Sequence, residues 1–488
     1  MGLLSRSSEI LRSSFPQSSV TKPDAGNFPG LISDLCNMME TVLPEPPEVC
    51  PPPPARDRRT AVLAFFRRLH FYVGVFVGPF LLVSALTGVL YTVAPSMTQA
   101  LHRHELSVEA AAAGTLPLSQ QVRSAQQTYP GRVVLSVATG ADARATTRVV
   151  MSGSGCPCTV FVDPHTARVR GEAPGDGGQV FEAKWSDDLH RTLFLGEFGR
   201  NYAELSASWL WVLVVSGPVL WFFGRRTRGG GPKAPRLSLR GSHATLGLAL
   251  SLGLLFLSAS GLSWSLHAGE NIDALRTAVS GANPPLAKKL DPPVAPAAQG
   301  QPEWLARVDR VHAGARSAGL VDPIVITATD KPDSAWTASD RERHYPMRND
   351  RASVNPQTGA VVAVSRFQDW PMLAKITQWA IALHMGLLFG WANQLVLAVL
   401  GIGLAVMIVL GYRMWWARRP RHDGGAWPAP APQRGALGEL PPSAAAALTG
   451  ALLFAGWFLP LFGASLAGFV LIDALLGWRA RRRAREAQ

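Results

Sequence analysis

Cysteine, acidic residues in apolar segments and nucleotide-binding fingerprints are all scarce in this sequence of 488 residues. There is no G-x-G-x-x-G segment, so a built-in flavin or nicotinamide domain has no support. Of the 4 cysteines, Cys36 and Cys50 lie in a proline-rich stretch, and Cys156 and Cys158 form a C-P-C that is too short for the usual redox or zinc spacing. We interpret all four as structural or incidental.

Long apolar runs are the dominant feature that is present. The hydrophobic set makes up 47% of the residues, and four runs of about twenty residues or more are long enough to cross a bilayer core. They cover residues 69–93, 205–223, 244–266 and 395–416. A fifth run, 444–476, is too long for one upright span and has Pro460 at its middle, so it predicts a short helical hairpin. Asp473 is the main acidic residue within these runs.

The excess of basic residues reflects the orientation of the chain in the membrane, and no polyanionic partner is needed to account for it. The formal charge is +13, yet residues 96–204 and 268–379 are nearly balanced between basic and acidic side chains. The surplus arginines and lysines flank the apolar runs, as at 56–68, 225–240, 413–421 and 479–485. This positive-inside pattern predicts cytoplasmic ends and short loops, with both long segments outside. We therefore expect no nucleic-acid partner, because topology accounts for the bases.

These observations predict a polytopic α-helical membrane protein with four long transmembrane helices, a C-terminal apolar hairpin and two small external α+β domains. The predicted organisation is a disordered proline-rich leader at 1–60, spans at 61–95, 205–224, 243–266 and 381–416, external domains at 96–204 and 267–380, cytoplasmic loops at 225–242 and 417–442, a hairpin at 443–478 and a basic tail at 479–488. The fourth span includes a preceding interfacial helix. The sequence leaves two alternatives for this leader, retention in the mature product or removal by processing.

The chain is an internal repeat. The first and third spans both open on R-x-x-H-x-x-x-G and later carry a hydroxyl residue followed by glycine. In the first span the matching residues are Arg67, His70, Gly74 and Thr87-Gly88. In the third span they are Arg240, His243, Gly247 and Ser260-Gly261. The second and fourth spans match as well, through His190, Gly196, Gly217, Trp221 and Arg225 against His384, Gly390, Gly411, Trp415 and Arg419. Such coincidences at fixed offsets indicate duplication.

The external segments repeat too. In the first, a helix-like stretch at 116–129 precedes strand-like runs at 132–139, 147–152 and 159–169. In the second, a helix-like stretch at 303–319 precedes a strand-like run at 324–329. Each segment carries an Asp/Asn-Pro-x-Thr turn between β-branched runs, at Asp163-Pro164 and Asn355-Pro356, which is hairpin chemistry. The repeated unit is therefore span, small α+β domain, span.

From residue 60 to about residue 478 the sequence resembles the PepSY-associated transmembrane family. The resemblance rests on the R-x-x-H spans that end in Thr-Gly, the Leu-His before each partner span, the tryptophan near the arginines, and the V-D-P-x-T turn. Family members include iron-regulated inner-membrane proteins and di-haem ferric-siderophore reductases, so the resemblance implies a haem-dependent reductase in iron uptake, located in the bacterial inner membrane. This chain has Ser260 where the family usually has threonine.

Four of the 11 histidines occupy duplicated positions and are the candidate haem ligands: His70, His243, His190 and His384. Repeat symmetry pairs His70 with His243 near the cytoplasmic face, and His190 with His384 near the outer face. Two imidazoles complete a six-coordinate haem iron suited to electron transfer. No C-x-x-C-H occurs, so c-type attachment is excluded and two haems of type b are predicted. We expect glycines to leave room for them, at Gly74, Gly78, Gly247 and Gly253 inside, and at Gly196, Gly386 and Gly390 outside.

Three functions compete at this point. The first is a transmembrane oxidoreductase that reduces a ferric siderophore or other ferric complex in the periplasm, fed by membrane quinol or a redox protein. The second is a membrane-anchored binding or sensory protein without redox activity, in which the histidines are structural interfacial residues. The third, metal transport, is weak because the spans carry so few acidic residues. Duplication favours the first, since polar groups at membrane depth are costly and usually functional.

Overall fold

A computed structural model describes residues 58–109, 114–152, 157–175, 181–225, 239–340, 342–418, 432 and 442–486. The predicted leader, most of both cytoplasmic loops, and Cys156 lie outside the described residues. From Arg56 to Gln488 the chain forms one compact unit. Within it, an apolar helical part and an eight-stranded antiparallel sheet are both built from the two repeats.

The helices follow the predicted spans. In chain order they are α1 (Arg58–Phe76), α2 (Gly78–Leu101), α3 (Arg103–Leu106), α4 (Leu118–Thr128), α5 (Phe181–Thr192), α6 (Gly196–Arg225), α7 (Leu239–Leu262), α8 (His267–Ala278), α9 (Pro302–Ser317), α10 (Met372–His384), α11 (Gly390–Ala417), α12 (Pro442–Phe458) and α13 (Pro460–Glu486). Among the described residues, five of these are long and apolar enough to cross a membrane: α2, α6, α7, α11 and α13.

The first span is displaced from its predicted position. The apolar run at 69–93 predicted one helix, whereas the chain forms α1 and α2 with a break at Val77, and α2 extends outward to Leu101. Pro79 accounts for the break because it has no N–H to donate to the carbonyl of Val75, four residues earlier. The Tyr412 hydroxyl on α11 donates to that carbonyl at 2.6 Å instead. A neighbouring helix thus satisfies the acceptor that proline leaves open.

The C-terminal apolar stretch folds back on itself as predicted. Pro460 occupies the first position of α13, where a missing N–H costs least. A Cβ built on Gly456 would lie 3.0 Å from the Cα of Gly463. In a continuous helix, two residues seven apart would be about 10 Å apart, so the chain reverses here. Of the two arms, α13 meets the length of a span and α12 is shorter. The acidic residue of the stretch, Asp473, pairs with Arg68 on α1 at 2.5 Å.

The two segments that were predicted to be external each contribute four strands to one sheet. The strands are β1 (Val134–Ala138), β2 (Thr147–Met151), β3 (Cys158–Val162) and β4 (Val169–Pro174) from the first segment, and β5 (Ile324–Thr327), β6 (Trp336–Asp340), β7 (Arg351–Val354) and β8 (Val361–Ser365) from the second. Their order is β4-β3-β2-β1-β5-β6-β7-β8. The halves join where β1 pairs antiparallel with β5, so the duplicated units share a single sheet.

One face of the sheet carries a continuous apolar core under α4 and α9. Four adjacent strands each place one buried residue beside the next, namely Val149, Val137, Ile326 and Ala338. They belong to the same core as Trp304 of α9. This core crosses the β1–β5 junction without a gap, so the two segments bury their apolar surface together. The membrane helices have a separate core, in which Leu81, Leu210, Leu254 and Leu400 meet.

The helix break allows a test by double mutation. Removing the hydroxyl in Tyr412→Phe leaves the Val75 carbonyl without a partner and should lower stability by about 1 kcal/mol. Pro79→Ala restores an N–H that can donate to the same carbonyl. We therefore expect Tyr412→Phe to cost clearly less in the Pro79→Ala background, as measured by thermal unfolding in detergent. Equal losses in both backgrounds would show that the tyrosine does not replace the proline's missing donor.

Candidate functional site

The structure brings His70 and His243 together. His70 lies on α1 and His243 on α7, and their ring centroids are 6.2 Å apart with the planes nearly perpendicular, at 87°. Two imidazoles that share one metal ion place their centroids roughly 6 Å apart, because each metal–nitrogen bond is about 2 Å and the ring centre lies about 1 Å beyond it. The spacing of the inner pair therefore fits a bridging metal ion.

His190 and His384 form the second pair. They lie at the ends of α5 and α10, just before α6 and α11 begin, close enough for a charge on His190 to act on His384. Within the described residues, no group of three or more His, Cys, Asp or Glu side chains is arranged to hold a metal ion. Pairs are nevertheless sufficient for haem, since the macrocycle supplies the other four iron ligands and the protein only the axial ones.

Each outer histidine is held by a span of its own repeat. The His190 Nδ1 lies 3.0 Å from Thr87 Oγ1 on α2, and the His384 Nδ1 lies 2.7 Å from Ser260 Oγ on α7. Thr87 and Ser260 are the repeat-equivalent residues that precede the motif glycines. Serine in place of the usual threonine therefore keeps the hydroxyl that contacts the imidazole.

The inner histidines are held in the same way from the opposite helices. The His70 Nδ1 lies 2.8 Å from Ser216 Oγ on α6, and that hydroxyl faces the carbonyl of Leu213. In the second repeat Leu410 replaces the serine, and the His243 Nδ1 reaches the carbonyl of Met407 directly, at 3.0 Å. Met407 is the repeat equivalent of Leu213. The two repeats thus use equivalent carbonyls. His70 reaches the carbonyl of Leu213 through the Ser216 hydroxyl, and His243 reaches the carbonyl of Met407 directly.

These contacts favour one tautomer in all four rings. The carbonyl of Met407 can only accept, so the Nδ1 of His243 that faces it is the protonated nitrogen. Thr87, Ser260 and Ser216 each have a backbone carbonyl of their own helix within reach, so each hydroxyl can donate to that carbonyl and accept from the imidazole. In that arrangement Nδ1 is protonated and Nε2 carries the lone pair in the other three rings as well. Within the described part of the chain, no hydrogen bond engages any of these Nε2 atoms. Four neutral imidazoles with a free, oriented Nε2 are metal-ligand donors.

A glycine faces the Cε1 atom of each ring. A Cβ built on Gly88 would lie 3.2 Å from Cε1 of His190, and one on Gly217 would lie 3.6 Å from Cε1 of His70. The repeat equivalents Gly261 and Gly411 face His384 and His243 at 3.7 and 3.8 Å. A Cβ at Gly88 would press on the imidazole of His190, whereas at the other three glycines it would make an ordinary van der Waals contact.

The glycines predicted to leave room for a macrocycle do not face these imidazoles. Their built Cβ atoms meet other side chains or open space: Gly78 meets Tyr412, Gly247 meets Met407, Gly253 meets Leu400, Gly386 meets Gln394, and Gly74, Gly196 and Gly390 meet nothing within 4 Å. None of them faces a ligand histidine. The motif glycines had been read only as markers of the repeat.

An aromatic ring contacts each histidine of the outer pair, His190 and His384. Tyr91 stacks on His190 with centroids 6.3 Å apart, and its repeat equivalent Trp264 meets His384 edge-on at 5.4 Å. Both lie one helical turn beyond the hydroxyl residue. Nearby, the Nε2 of His267 contacts the side-chain oxygen of Asn201 at 3.0 Å. His267 begins α8, where the buried Glu204 accepts the N–H groups of His267 and Ala268.

Comparison with known proteins identifies the family of this chain. The family model described as the PepSY-associated TM region matches residues 67–418, which include all four histidines. The chain belongs to the PepSY-associated transmembrane family. No curated protein matches it. As a family member with five helices long enough to span a bilayer, the protein is a multi-pass membrane protein.

The hydroxyl contacts generate a stability prediction for this family member. Thr87→Val leaves the His190 Nδ1–H without an acceptor and should lower stability by about 1 to 2 kcal/mol. Thr87→Ser should be close to wild type, because Ser260 already fills the same role in the other repeat. The measurement is thermal unfolding in detergent, on protein to which no ligand of the histidine pairs has been added. If the valine and serine variants unfold at the same temperature, the hydroxyl does not hold the ring.

Proposed function

We propose that this protein carries electrons across the membrane through two haems of type b, each bound by one of the two histidine pairs. The observation that supports the proposal is the shared arrangement of the four rings: each Nδ1 lies within hydrogen-bond distance of a hydroxyl or carbonyl, and among the described residues no hydrogen bond engages any Nε2. Interfacial histidines with only a structural role have no need for this uniformity. Metal-ligating histidines do, because the second-shell hydrogen bond orients the ring and raises its basicity.

The residues present fit such a group. His70 and His243 would hold the inner haem and His190 and His384 the outer one, and a bis-imidazole haem iron supplies reversible one-electron transfer with no open coordination position. The protein's own contribution is to keep the imidazoles neutral, oriented and shielded from water. Ser216, Thr87, Ser260 and the Met407 carbonyl do this through Nδ1, and the facing glycines let the rings approach the helices closely.

Location favours use of the pairs in series. The inner pair lies one turn beyond Arg67 and Arg240, at the side that the basic flanks assign to the cytoplasm. The outer pair lies where α5 and α10 lead from the sheet into α6 and α11. Electrons would enter at the inner pair from membrane quinol or a redox protein and leave at the outer pair. The acceptor we propose is a ferric siderophore or another ferric complex in the periplasm, since hard oxygen ligands hold ferrous iron less tightly than ferric iron.

Ligand substitutions test this function. His384→Ala should lose the outer haem, leave the inner haem reducible from the donor side, and abolish ferric-chelate reduction. His70→Ala should lose the inner haem and leave an outer haem that dithionite reduces but a physiological donor does not. Haem stoichiometry and donor-driven reduction in membranes are the two measurements.

His312→Ala is the control, because this histidine lies on α9 away from both pairs and has no repeat partner. It should keep both haems and the wild-type rate. Retention of two haems in both ligand variants would refute the ligand assignment. Loss of one haem in each variant with ferric reduction unchanged would refute the series path and favour a sensory role.

A further inference from the structure

A cavity of about 320 Å³ lies in the second half of the sheet. It is bounded by residues 294–298, which precede α9, by the turn between β5 and β6, and by Pro356 in the turn between β7 and β8. Trp304 of α9 and Trp336 of β6 also line it, with their ring centroids 5.4 Å apart. Its volume falls within the range of small-molecule sites, about 300 to 1,000 Å³.

The equivalent gap in the first repeat is bridged by a side chain. His165 occupies the position in the β3–β4 turn that Gln357 occupies in the β7–β8 turn. The His165 Nδ1 lies 2.6 Å from the carbonyl of Gly114, which precedes α4, and its Nε2 lies 2.8 Å from the carbonyl of Ala143, between β1 and β2. The side chain of Gln357 is exposed instead. The same three segments are therefore joined by protein in one repeat and separated by a cavity in the other.

Arg307 of α9 is the charged group buried in the wall of this cavity. It is 6% exposed, and its Nη2 donates to the carbonyl of Ala295 at 2.6 Å. Among the described residues, no acceptor forms a hydrogen bond with its Nε. Glu303 Oε1 lies 3.6 Å from that Nε and is shared with Arg310, whose Nη2 approaches it to 2.7 Å. One carboxylate thus serves two guanidinium groups, and a buried guanidinium with five N–H groups favours a further acceptor.

The other charges at the cavity cancel. Asp330 and Lys331 lie side by side in the β5–β6 turn that lines it and carry opposite charges, so the net charge of the lining is the single positive charge of Arg307. A monoanion balances this charge. A carboxylate also matches the planar fork of a guanidinium through two parallel hydrogen bonds. The tryptophan and proline walls favour an aromatic ring on the rest of the molecule.

We propose that this cavity binds a small aromatic monocarboxylate, with the carboxylate on Arg307 and the ring against Trp304, Trp336 and Pro356. The site is separate from the histidine pairs and does not depend on the function proposed for them. Its walls come from α9, the segment before α9 and two turns of the sheet. A bound carboxylate would therefore join these elements and stabilise the second half of the sheet.

The test measures binding of 4-fluorophenylacetate to the full chain in detergent by fluorine NMR line broadening, with unlabelled phenylacetate as competitor. A probe of this size should bind saturably, with a dissociation constant of roughly millimolar order. The neutral 4-fluorophenylacetamide has the same shape and should bind about tenfold more weakly, because it loses the charge-assisted hydrogen bonds. Both probes meet the same wild-type protein, so this comparison does not depend on the folding of a variant.

Three variants, each checked for folding by thermal unfolding, locate the site. Arg307→Gln should weaken binding of the acid about tenfold, and Ala298→Phe, which fills the cavity, should abolish it. Arg316→Gln is the matched control, with the same charge change on α9 where Arg316 pairs with Asp322 at 3.0 Å, and it should bind like wild type. Equal binding of acid and amide would refute the carboxylate assignment. Binding that survives Ala298→Phe, or no saturable binding to wild type, would refute the site.

Discussion

The hydrogen bond from each histidine Nδ1–H is the interaction on which the rest of the site depends. An imidazole between apolar helices has two nitrogens to satisfy and little water to help. When the histidine donates its Nδ1–H to a hydroxyl or carbonyl, one ring nitrogen is satisfied. The ring is then held in one orientation, with the lone pair on Nε2. The acceptors differ in kind, from Thr87 and Ser260 to Ser216 and the Met407 carbonyl. Their effect on the ring is the same in all four cases.

These contacts to Nδ1 are divided between the two repeats in a regular way. Within the first repeat, the helix that follows each histidine's own helix contacts the other histidine: α2, after α1 with His70, carries Thr87, and α6, after α5 with His190, carries Ser216. The first repeat therefore positions its own two imidazoles. The inner pair forms between repeats, as His70 meets His243. The shared sheet adds a second junction between repeats, where β1 pairs with β5.

Much of this was predictable, because local and periodic signals carry it. Apolar runs predict the spans, Pro460 predicts the reversal in the last stretch, and fixed offsets identify the four histidines. The β1–β5 pairing was not predictable, since two strands nearly 190 residues apart leave no local pattern. Nor was the role of Thr87 and Gly88, which the repeat marks but which only a neighbouring helix explains.

The most direct test of the central claim is the haem content and redox spectrum of the purified wild-type protein from haem-replete cells. Two pairs of neutral imidazoles with free Nε2 atoms predict two haems per chain. Both should be extractable with acidified acetone, because no covalent attachment motif is present. Both should also give low-spin spectra when oxidised and when reduced. A colourless protein, or high-spin haem with an open coordination position, would contradict the account.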